Sequence, residues 1–321
     1  MAEKKDFKIT DLPGVGAATA EKLEEAGFNT LMSIAVASPA DMVEIAGVTE
    51  ATARKIINVA RNKLDMGFQT GIELLEKRQN LDRITTSSKA FDNLLGGGVE
   101  TNSITEAYGE FGVSKTQLGH QLAVNVQLPK EKGGSDGMAV IIDTEGTGRP
   151  ERIKQMADAL GLDSMKVLSN IKFIRAFNSD HQMLIVNKIE DLIKNDKLPI
   201  KLVVVDSLMS LFRSDFSGRG ELAARQQKLN RHMHDLLKLA DTYNLAIYVT
   251  NQVMANPAVF FGDPTTPIGG HILAHASGVR IYIRKGKKGT RVARIMDSPS
   301  LPDSECIFRV TEEGIRDVDE K

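Results

Sequence analysis

Residues 109–116 read GEFGVSKT, and all the positions that a phosphate-binding loop fixes, except Ser114, hold the residue types that it requires. They follow the strand-like SITEAY and open the helix-like QLGHQLAVNVQL, so successive backbone N–H groups can point at phosphate oxygens. Lys115 would neutralise phosphate charge, and the Thr116 hydroxyl would hold Mg²⁺. The usual pattern, GxxxxGK[ST], has glycine where Ser114 stands, and we expect a side chain there to crowd the ligand or force the loop open. On this match alone, a turn that binds nothing is an equal alternative.

Two further strand-like segments end in carboxylates. Asp206 ends the apolar run KLVVVD, which is the arrangement that orients the water shell of Mg²⁺, although many buried strands end in aspartate at a helix cap. Glu145 follows AVIIDT, where a general base could polarise the water that attacks a γ-phosphate. Because α/β sheets bind ligands at the carboxyl edge, we expect Lys115, Glu145 and Asp206 to surround one triphosphate.

Two segments have residue types suited to nucleic acid. Residues 213–220 form a glycine-containing loop with Arg213, Phe216 and Arg219, and Arg225 follows on a helix. Residues 253–270 are too rich in glycine and proline for a regular element, and they contain Phe260 and Phe261. Arginine can follow a phosphate backbone, and phenylalanine can stack on bases. Ordinary surface loops are the alternative. The run Arg284, Lys285, Lys287 and Lys288 could add phosphate contacts, but most charge runs are solvated.

The elements that must position these residues are predicted from hydrophobic periodicity. The first sixty-odd residues have helical spacing, and the pattern indicates an internal duplication, with LPGVG before one helix and IAGVT before another. From about Ile84 onward, short Val/Ile-rich runs alternate with amphipathic stretches, which indicates an α/β fold with a mostly parallel sheet. The late strands VARIMDSP and CIFRVTEEG are predicted to be antiparallel. The predicted domains are residues 1–62, a linker at 63–80 and a core at 81–321.

Composition limits the partners and the compartment. The formal charge of −1 means that DNA contacts must come from local basic patches or backbone amides. A single cysteine, Cys306, excludes an internal disulfide and a cysteine metal cluster. The N-terminus lacks an apolar signal core, and no apolar run approaches the roughly 18 residues of a bilayer span. We therefore expect a cytoplasmic protein that is not embedded in a membrane.

The ordered segments IDTEGTxRPERI, VVDSL, GRGELAARQQKL, VTNQV, IGGHILAHA and RKGKKGTR, together with GEFGxxKTQ, resemble the RecA-type DNA strand-exchange recombinases, and among them the archaeal RadA group. The resemblance covers essentially the whole chain, including the N-terminal helical module. Paralogues of the RadB type lack that module, and hexameric RecA-fold helicases lack GRGELAARQQKL. The resemblance implies a RecA-like P-loop ATPase core and an all-α helix-hairpin-helix domain.

The resemblance also implies roles at an ATP site. Glu145 would be the catalytic base, assisted by Lys115, and Gln252 a polar sensor that connects the γ-phosphate to a DNA-binding loop. His275 would report on the γ-phosphate from a neighbouring subunit. The residues expected to contact ATP are Gly109, Glu110, Phe111, Gly112, Val113, Ser114, Lys115, Thr116, Gln117, Arg152, Asp206, His275, Asp297 and Pro302. Thr116 and Asp206 would hold Mg²⁺. Arg152 and Pro302 would sandwich adenine, and Asp297 and Asp303 would close an adjacent subunit's site, with K⁺ as a further ligand. An isolated histidine or a Pro-rich turn is often only structural.

Partners follow from the same resemblance. It assigns the loops with Arg213, Phe216 and Arg219, and with Phe260 and Phe261, to a channel for single-stranded DNA. In LPGVG, Gly14 and Gly16 would present backbone amides to a DNA phosphate, as helix-hairpin-helix modules do. Phe68 would dock into a neighbouring copy and add a strand to its sheet, which gives a filament or a ring. Single-stranded DNA, double-stranded DNA and the protein itself are the expected partners.

Several positions depart from the family pattern. Ser114 replaces glycine and Gly148 replaces phenylalanine, whose loss costs roughly 3 to 5 kcal/mol if the position is buried. Leu211 and Ser300 replace histidines, and Gly278 replaces threonine. Two hypotheses remain: an ATP-dependent recombinase that exchanges homologous strands, or a recombinase-like filament protein with weak or absent hydrolysis.

Overall fold

The computed structural model describes residues 9–28, 30–63, 70–255 and 265–318. The chain forms two compact units, Met1–Arg78 and Gln79–Lys321. Three predicted functional residues, Phe68, Phe260 and Phe261, lie outside the described residues, as does the side chain of Arg219. Among the described helices, none is long and apolar enough to cross a bilayer.

The N-terminal unit is built from short helices. They are α1 (Ala17–Glu25), α2 (Leu31–Ala35), α3 (Pro39–Ala46) and α4 (Glu50–Lys63), and α5 (Gly71–Gln79) follows within the range predicted as a linker. Leu23, Ile34 and Ile56 are fully buried in one small core. The LPGVG turn leads into α1, and Gly14 within it has a φ of +85°, a conformation that favours glycine. The predicted helical module is therefore present, with the turn at its start.

The larger unit alternates strands and helices. Its strands are β1 (Arg83–Ile84), β2 (Val99–Glu100), β3 (Ser103–Tyr108), β4 (Met138–Asp143), β5 (Ile171–Arg175), β6 (Ile200–Asp206), β7 (Ala246–Asn251), β8 (Val253–Ala255), β9 (Thr265–Pro267), β10 (Val279–Lys285), β11 (Arg291–Asp297), β12 (Glu305–Thr311) and β13 (Gly314–Asp317). Its helices are α6 (Lys89–Leu94), α7 (Lys115–Asn125), α8 (Pro150–Ala159), α9 (Ser164–Ser169), α10 (Ser179–Lys194), α11 (Ser210–Asp215), α12 (Leu222–Tyr243) and α13 (His271–Ala276).

Nine of the described strands form the central sheet, in the order β13-β12-β11-β10-β3-β7-β6-β4-β5. The strands from β10 to β5 in this order pair in parallel, and β11, β12 and β13 add antiparallel ladders. Short ladders join β1 to β2 and β8 to β9. The predicted α/β fold with a mostly parallel sheet and antiparallel late strands is confirmed.

Both faces of the sheet are covered, and β4 shows why its run of apolar residues is continuous. Ile141 belongs to the core that α7 and α8 cover, whereas its neighbour Ile142 belongs to the core that α10 and α12 cover. Successive side chains of a strand point to opposite faces, so the residues of a doubly covered strand face a core on either side and are mostly apolar. The polar carboxyl ends of these strands are then the places where chemistry can occur.

The last strand of the larger unit is fastened to its first helix. The Asp317 carboxylate accepts hydrogen bonds from Ser88 Oγ at 2.6 Å and from the backbone N–H groups of Lys89 and Ala90 at 3.0 Å. Carboxylates stabilise helix N-termini because the first N–H groups have no partner within the helix. Asp317 therefore caps α6 from the opposite end of the unit's sequence.

Candidate nucleotide-binding site

The loop of residues 109–114 joins the end of β3 to the start of α7. A Cβ at Gly109 would lie 2.1 Å from the Ile283 carbonyl oxygen, so glycine is required where the loop leaves the sheet. Lys115 Nζ donates to the carbonyl oxygens of Gly109 and Glu110, each at 2.8 Å. The ammonium group therefore lies against the loop, where phosphate oxygens are expected.

Ser114, which departs from the phosphate-loop pattern, has a left-handed backbone with φ 84° and ψ 23°. An L-residue in this region costs about 1 to 2 kcal/mol, whereas glycine adopts it without strain. The Ser114 side chain makes no capping hydrogen bond to α7 that would offset this cost. Glycine is therefore favoured at this position by the backbone conformation as well as by the space that a phosphate needs.

Asp206, at the end of β6, collects three hydroxyl groups. Its Oδ2 accepts from Thr116 Oγ1 at 2.6 Å and from Thr147 Oγ1 at 3.5 Å, and its Oδ1 accepts from Thr250 Oγ1. Mg²⁺ prefers such oxygen ligands and is commonly held by one or two protein groups together with substrate phosphates. The Thr116–Asp206 pair therefore fits Mg²⁺. In the described part of the chain, no group of three His, Cys, Asp or Glu side chains forms a metal centre by itself.

Glu145 lies next to this pair, at the end of β4. Its Oε1 accepts hydrogen bonds from Ser207 Oγ at 2.6 Å and from Gln252 Nε2 at 2.9 Å. Two hydrogen bonds join the ends of β4 and β6 next to Glu145: Thr144 Oγ1 donates to the Ser207 carbonyl at 2.9 Å and accepts from the Ser207 N–H at 2.8 Å. The Glu145 carboxylate is thus oriented by side chains from β6 and β7 while it stays exposed to solvent.

Asp143 shapes the turn that carries Glu145. Its Oδ1 accepts from the N–H groups of Glu145 at 3.0 Å, Gly146 at 2.6 Å and Thr147 at 3.2 Å, and its Oδ2 accepts from Gly148 N–H at 3.0 Å. One carboxylate therefore holds four consecutive amides, which fixes the backbone of residues 145–148. The sequence predicted a strand that ends in an acid, but it did not predict that Asp143 holds the backbone of this turn.

These groups surround one cleft of about 760 Å³. The cleft brings together Lys115, Glu145 and Asp206, and its remaining lining residues are Gly109, Glu110, Phe111, Gly112, Ser114, Thr116, Gln117, Thr147, Ser207, Thr250, Gln252, Val253, Arg291 and Val310. Burial lowers the pKa of Lys115, and the negative charges of Asp206 and Glu145 oppose this shift. The three predicted strand-end residues therefore meet at one edge of the sheet, with a cation facing two anions.

The predicted phosphate-loop residues differ in how they face this cleft. Phe111 is 95% exposed, whereas Val113 is fully buried beneath the loop. Arg291, which sequence reasoning missed, lines the cleft and donates to the Gly112 carbonyl at 3.4 Å. In the sequence, Arg291 merely follows the basic run RKGKKGT, and such a run predicts solvated surface charge, not a residue that lines a cleft.

The adenine candidates lie apart within one chain. Arg152 is not among the residues that line the cleft, and its guanidinium donates to Gln117 Oε1 at 2.7 Å and to the carbonyls of Thr311 and Glu312 at 2.5 Å. Pro302 precedes the other end of β12, and a seven-residue strand spans roughly 20 Å. Within one chain the two residues therefore lie near opposite ends of β12, and neither lines the cleft.

The other candidates attributed to a neighbouring copy are also outside this cleft. Asp297, Asp303 and His275 are exposed, and none of them lines it. His275 stacks on His271 along α13, with ring centroids 6.1 Å apart. Their positions on the surface leave them accessible to another molecule.

Among the described DNA candidates, Arg213 contacts Gln252. The prediction that residues 213–220 form one loop is wrong at its start, because Arg213 lies in the last turn of α11. Arg213 Nη1 approaches Gln252 Oε1 at 3.5 Å, so a charged helix residue meets the polar side chain that contacts Glu145. Phe216 is half-buried under Lys228, whose Nζ lies 5.1 Å from the ring centroid. The Nε of Arg225 is buried and has no hydrogen-bond partner among the described residues. In the N-terminal unit, Gly16 is the N-cap of α1, so the LPGVG turn leads directly into a helix N-terminus, a position that presents backbone amides.

The departures from the family pattern occupy different environments. A Cβ at Gly148 would lie 3.3 Å from both Asp143 Oδ2 and the Phe173 ring, and one at Gly278 would lie 2.3 Å from Ser103 Oγ. A side chain at position 278 thus requires Ser103 to move. Leu211 is buried in the core under α10 and α12, which suits an apolar residue. Ser300 is exposed, and nothing in the structure explains it.

Comparison with known proteins agrees with this architecture. The chain matches the Rad51 family over residues 77–318 and the SAM-like helix-hairpin-helix tandem over residues 7–62. It is 54% identical over 316 residues to the DNA repair and recombination protein RadA of Aeropyrum pernix, covering 98% of each chain. It is 55% identical over 321 residues to the protein of the same name from Metallosphaera sedula, covering 100% of this chain and 99% of that one. The resemblance inferred from the ordered segments is confirmed.

Proposed function

Because the chain belongs to the Rad51 family of DNA recombination and repair proteins, we propose that it is a DNA-dependent ATPase that polymerises on single-stranded DNA and exchanges homologous strands. Within this proposal, the residues of the cleft between β3, β4, β6 and β7 bind and hydrolyse ATP. The observation that carries it is the meeting of Lys115, Glu145 and Asp206 around one cleft at the carboxyl ends of these strands.

The proposed chemistry divides among these residues. The backbone amides of the loop and Lys115 hold the phosphates, and Thr116 with Asp206 holds Mg²⁺, which would supply charge neutralisation between β- and γ-phosphate oxygens. Glu145 accepts a proton from the attacking water. The Ser207 and Gln252 hydrogen bonds engage Oε1 of Glu145, so Oε2 would be the oxygen that accepts the proton.

A neighbouring copy completes the proposed site. Pro302 of one copy and Arg152 of another would contact adenine, while Asp297 and Asp303 would close the site with K⁺, and His275 would approach the γ-phosphate. The exposure of these residues, and the separation of Arg152 from Pro302 in one chain, support this division. β5 is an edge strand of the sheet, where the proposed Phe68 segment could add a strand.

The proposed DNA contacts combine charge with backbone amides. Arg213, Phe216, Arg219 and Arg225, with Phe260 and Phe261, would line the channel for single-stranded DNA. The contact between Arg213 and Gln252 supports a connection from that channel to Glu145. Gly14 and Gly16 of the N-terminal unit would bind a phosphate of double-stranded DNA through backbone N–H groups, without reading sequence.

ATP turnover with and without single-stranded DNA tests the proposal. The intact protein should hydrolyse ATP faster when DNA is present, and Lys115→Ala should abolish this stimulated turnover because the phosphate charge is no longer neutralised. Lys132→Ala, which removes an exposed lysine from a turn remote in sequence from the loop, is the matched control and should keep it. Undetectable turnover with intact DNA binding would instead favour a filament protein without efficient hydrolysis.

A further inference from the structure

Glu106 is a carboxylate in the middle of the sheet that the proposed chemistry does not use. It lies on β3, its side chain is 0% exposed, and it sits among apolar neighbours such as Ile104 and Ala107. A buried charge is costly unless it is paired and its remaining lone pairs are satisfied. Glu106 meets both conditions, because Oε2 accepts from Arg280 Nε at 2.7 Å and Oε1 accepts from Asn251 Nδ2 at 2.8 Å.

Asn251 is the link between this carboxylate and the cleft. It is fully buried at the end of β7, and its Nδ2 donates to Glu106 and also to the Ile268 carbonyl at 2.6 Å. Its Oδ1 accepts the N–H of Gln252 at 2.8 Å. All the hydrogen-bonding atoms of this amide are thus engaged, and two of its bonds reach the backbone at the two ends of the segment 252–268.

The backbone of Gln252 is held from both sides as a result. Its N–H is bound by Asn251, and its carbonyl accepts the Ile268 N–H at 3.1 Å. The Gln252 side chain can then reach Glu145 Oε1 at 2.9 Å. A rotation of this peptide would withdraw Gln252 from Glu145, because the other described contact of this side chain, with Arg213 of α11, is long at 3.5 Å.

We infer that Asn251 and Glu106, with Arg280 as the counter-charge, are positioning residues that hold Gln252 against Glu145. Arg280 is itself fixed, since its guanidinium carbon lies 5.4 Å from the centroid of the Tyr108 ring. The three side chains connect β10, β3 and β7 beneath the cleft. This inference rests on the proposed function, because the positioned groups matter only if Glu145 activates water for ATP hydrolysis.

The test is the DNA-stimulated ATPase of the full chain carrying Asn251→Ala. We expect kcat to fall by about 10- to 100-fold, the effect of a displaced catalytic group, while the KM for ATP changes by less than about twofold. The KM is retained because Lys115 and Thr116 are untouched. Ile247→Ala is the matched control: it truncates a fully buried residue on the same strand and lowers stability without breaking this network.

Two results would overturn the inference. One is a kcat for Asn251→Ala within about twofold of the unmodified protein, and the other is an equal loss in Ile247→Ala, which would mean that instability alone is responsible. If Asn251→Ala does not fold, as judged by circular dichroism, the same comparison is made with Asn251→Ser. Its hydroxyl can still accept from the Gln252 N–H but is too short to reach Glu106, so it too should lose kcat.

The unmodified protein separates this inference from the proposed function. Absence of DNA-stimulated hydrolysis in that protein would contradict the proposed function itself. Stimulated hydrolysis that survives in both Asn251 variants would leave the proposed function standing and remove the positioning role.

Discussion

Replacing Ser114 with glycine should strengthen the nucleotide-bound state. The left-handed backbone at Ser114 costs about 1 to 2 kcal/mol for an L-residue, and this strain disappears in Ser114→Gly. Glycine loses more backbone entropy on folding, and this opposing contribution lowers the gain in stability by about 0.5 to 1 kcal/mol. The two ranges leave a net gain of about 0 to 1.5 kcal/mol, with central values of about 0.5 to 1 kcal/mol, before any relief of crowding between the Ser114 Cβ and a phosphate.

Which measurement shows this gain depends on the backbone conformation that the loop adopts when no nucleotide is bound. If the free loop keeps the left-handed backbone, the unfolding free energy of the free protein rises. If the free loop relaxes, the strain is imposed when phosphate binds, and the gain becomes roughly a 2- to 5-fold higher affinity for nucleotide. The unfolding free energy of the nucleotide-saturated protein contains both contributions, so it should rise in either case.

The assay combines urea unfolding, with and without saturating ADP and Mg²⁺, and a fluorescent-ADP titration. Lys197→Gly is the matched control, because Lys197 is an exposed residue with a φ of 53° in the turn between α10 and β6. It relieves comparable strain away from the cleft and should leave affinity unchanged. Ser114→Gly with neither higher affinity nor higher stability than the unmodified protein would refute the reasoning.

Three further predictions concern charge. Burial lowers the pKa of His232 to about 3, so between about pH 6.5 and 3 the unfolded chain binds a proton that the native state does not. From pH 6.5 to 5 this histidine should therefore lower the free energy of unfolding by about 2 kcal/mol. In urea unfolding at several pH values, His232→Gln should reduce the dependence of stability on pH. Asp143→Asn should lower DNA-stimulated kcat about tenfold with little change in nucleotide affinity. The asparagine nitrogen that replaces Oδ2 cannot accept the hydrogen bond from Gly148 N–H, so the turn that carries Glu145 is held less firmly. Arg225→Ala should weaken single-stranded DNA binding and reduce the salt slope by about 1.

The Asp143 and Arg225 predictions have matched controls, and each of the three predictions has a contrary outcome. The exposed pair Lys154–Asp158 on α8 supplies two controls, since Asp158→Asn should keep kcat and Lys154→Ala should keep the DNA salt slope. A pH slope unchanged in His232→Gln would show that other groups cause the acid sensitivity. A kcat unaffected by Asp143→Asn, or a salt slope unaffected by Arg225→Ala, would count against the corresponding contact.

The sequence was sufficient for the features that depend on local pattern. Apolar runs such as KLVVVD predicted doubly covered strands, and β6 has that character at each position from Leu202 to Val205. The rule that parallel strands bind ligands at their carboxyl edge placed Lys115, Glu145 and Asp206 together, and the structure has them around one cleft. Local spacing and a single topological rule were enough for both results.

Pairings distant in sequence could not be predicted in this way. Glu106 interrupts the apolar strand SITEAY, and its partner Arg280 is 174 residues away on β10. No periodicity identifies such a pair, because it depends on which strands become neighbours in the sheet. The half-buried position of Phe216 under Lys228 was missed for a similar reason: a loop with an aromatic residue looks exposed until the helix beside it is known.

The cap that Asp317 places on α6 bears on how the protein is made. Ser88 and Ala90 donate hydrogen bonds to a carboxylate that lies 229 and 227 residues later in the chain. A ribosome emits the chain from the N-terminus, so α6 leaves the exit tunnel long before its cap has been synthesised. Completion of the core is therefore a late event in biosynthesis, and a nascent chain stalled before β13 should remain a substrate for proteases and chaperones.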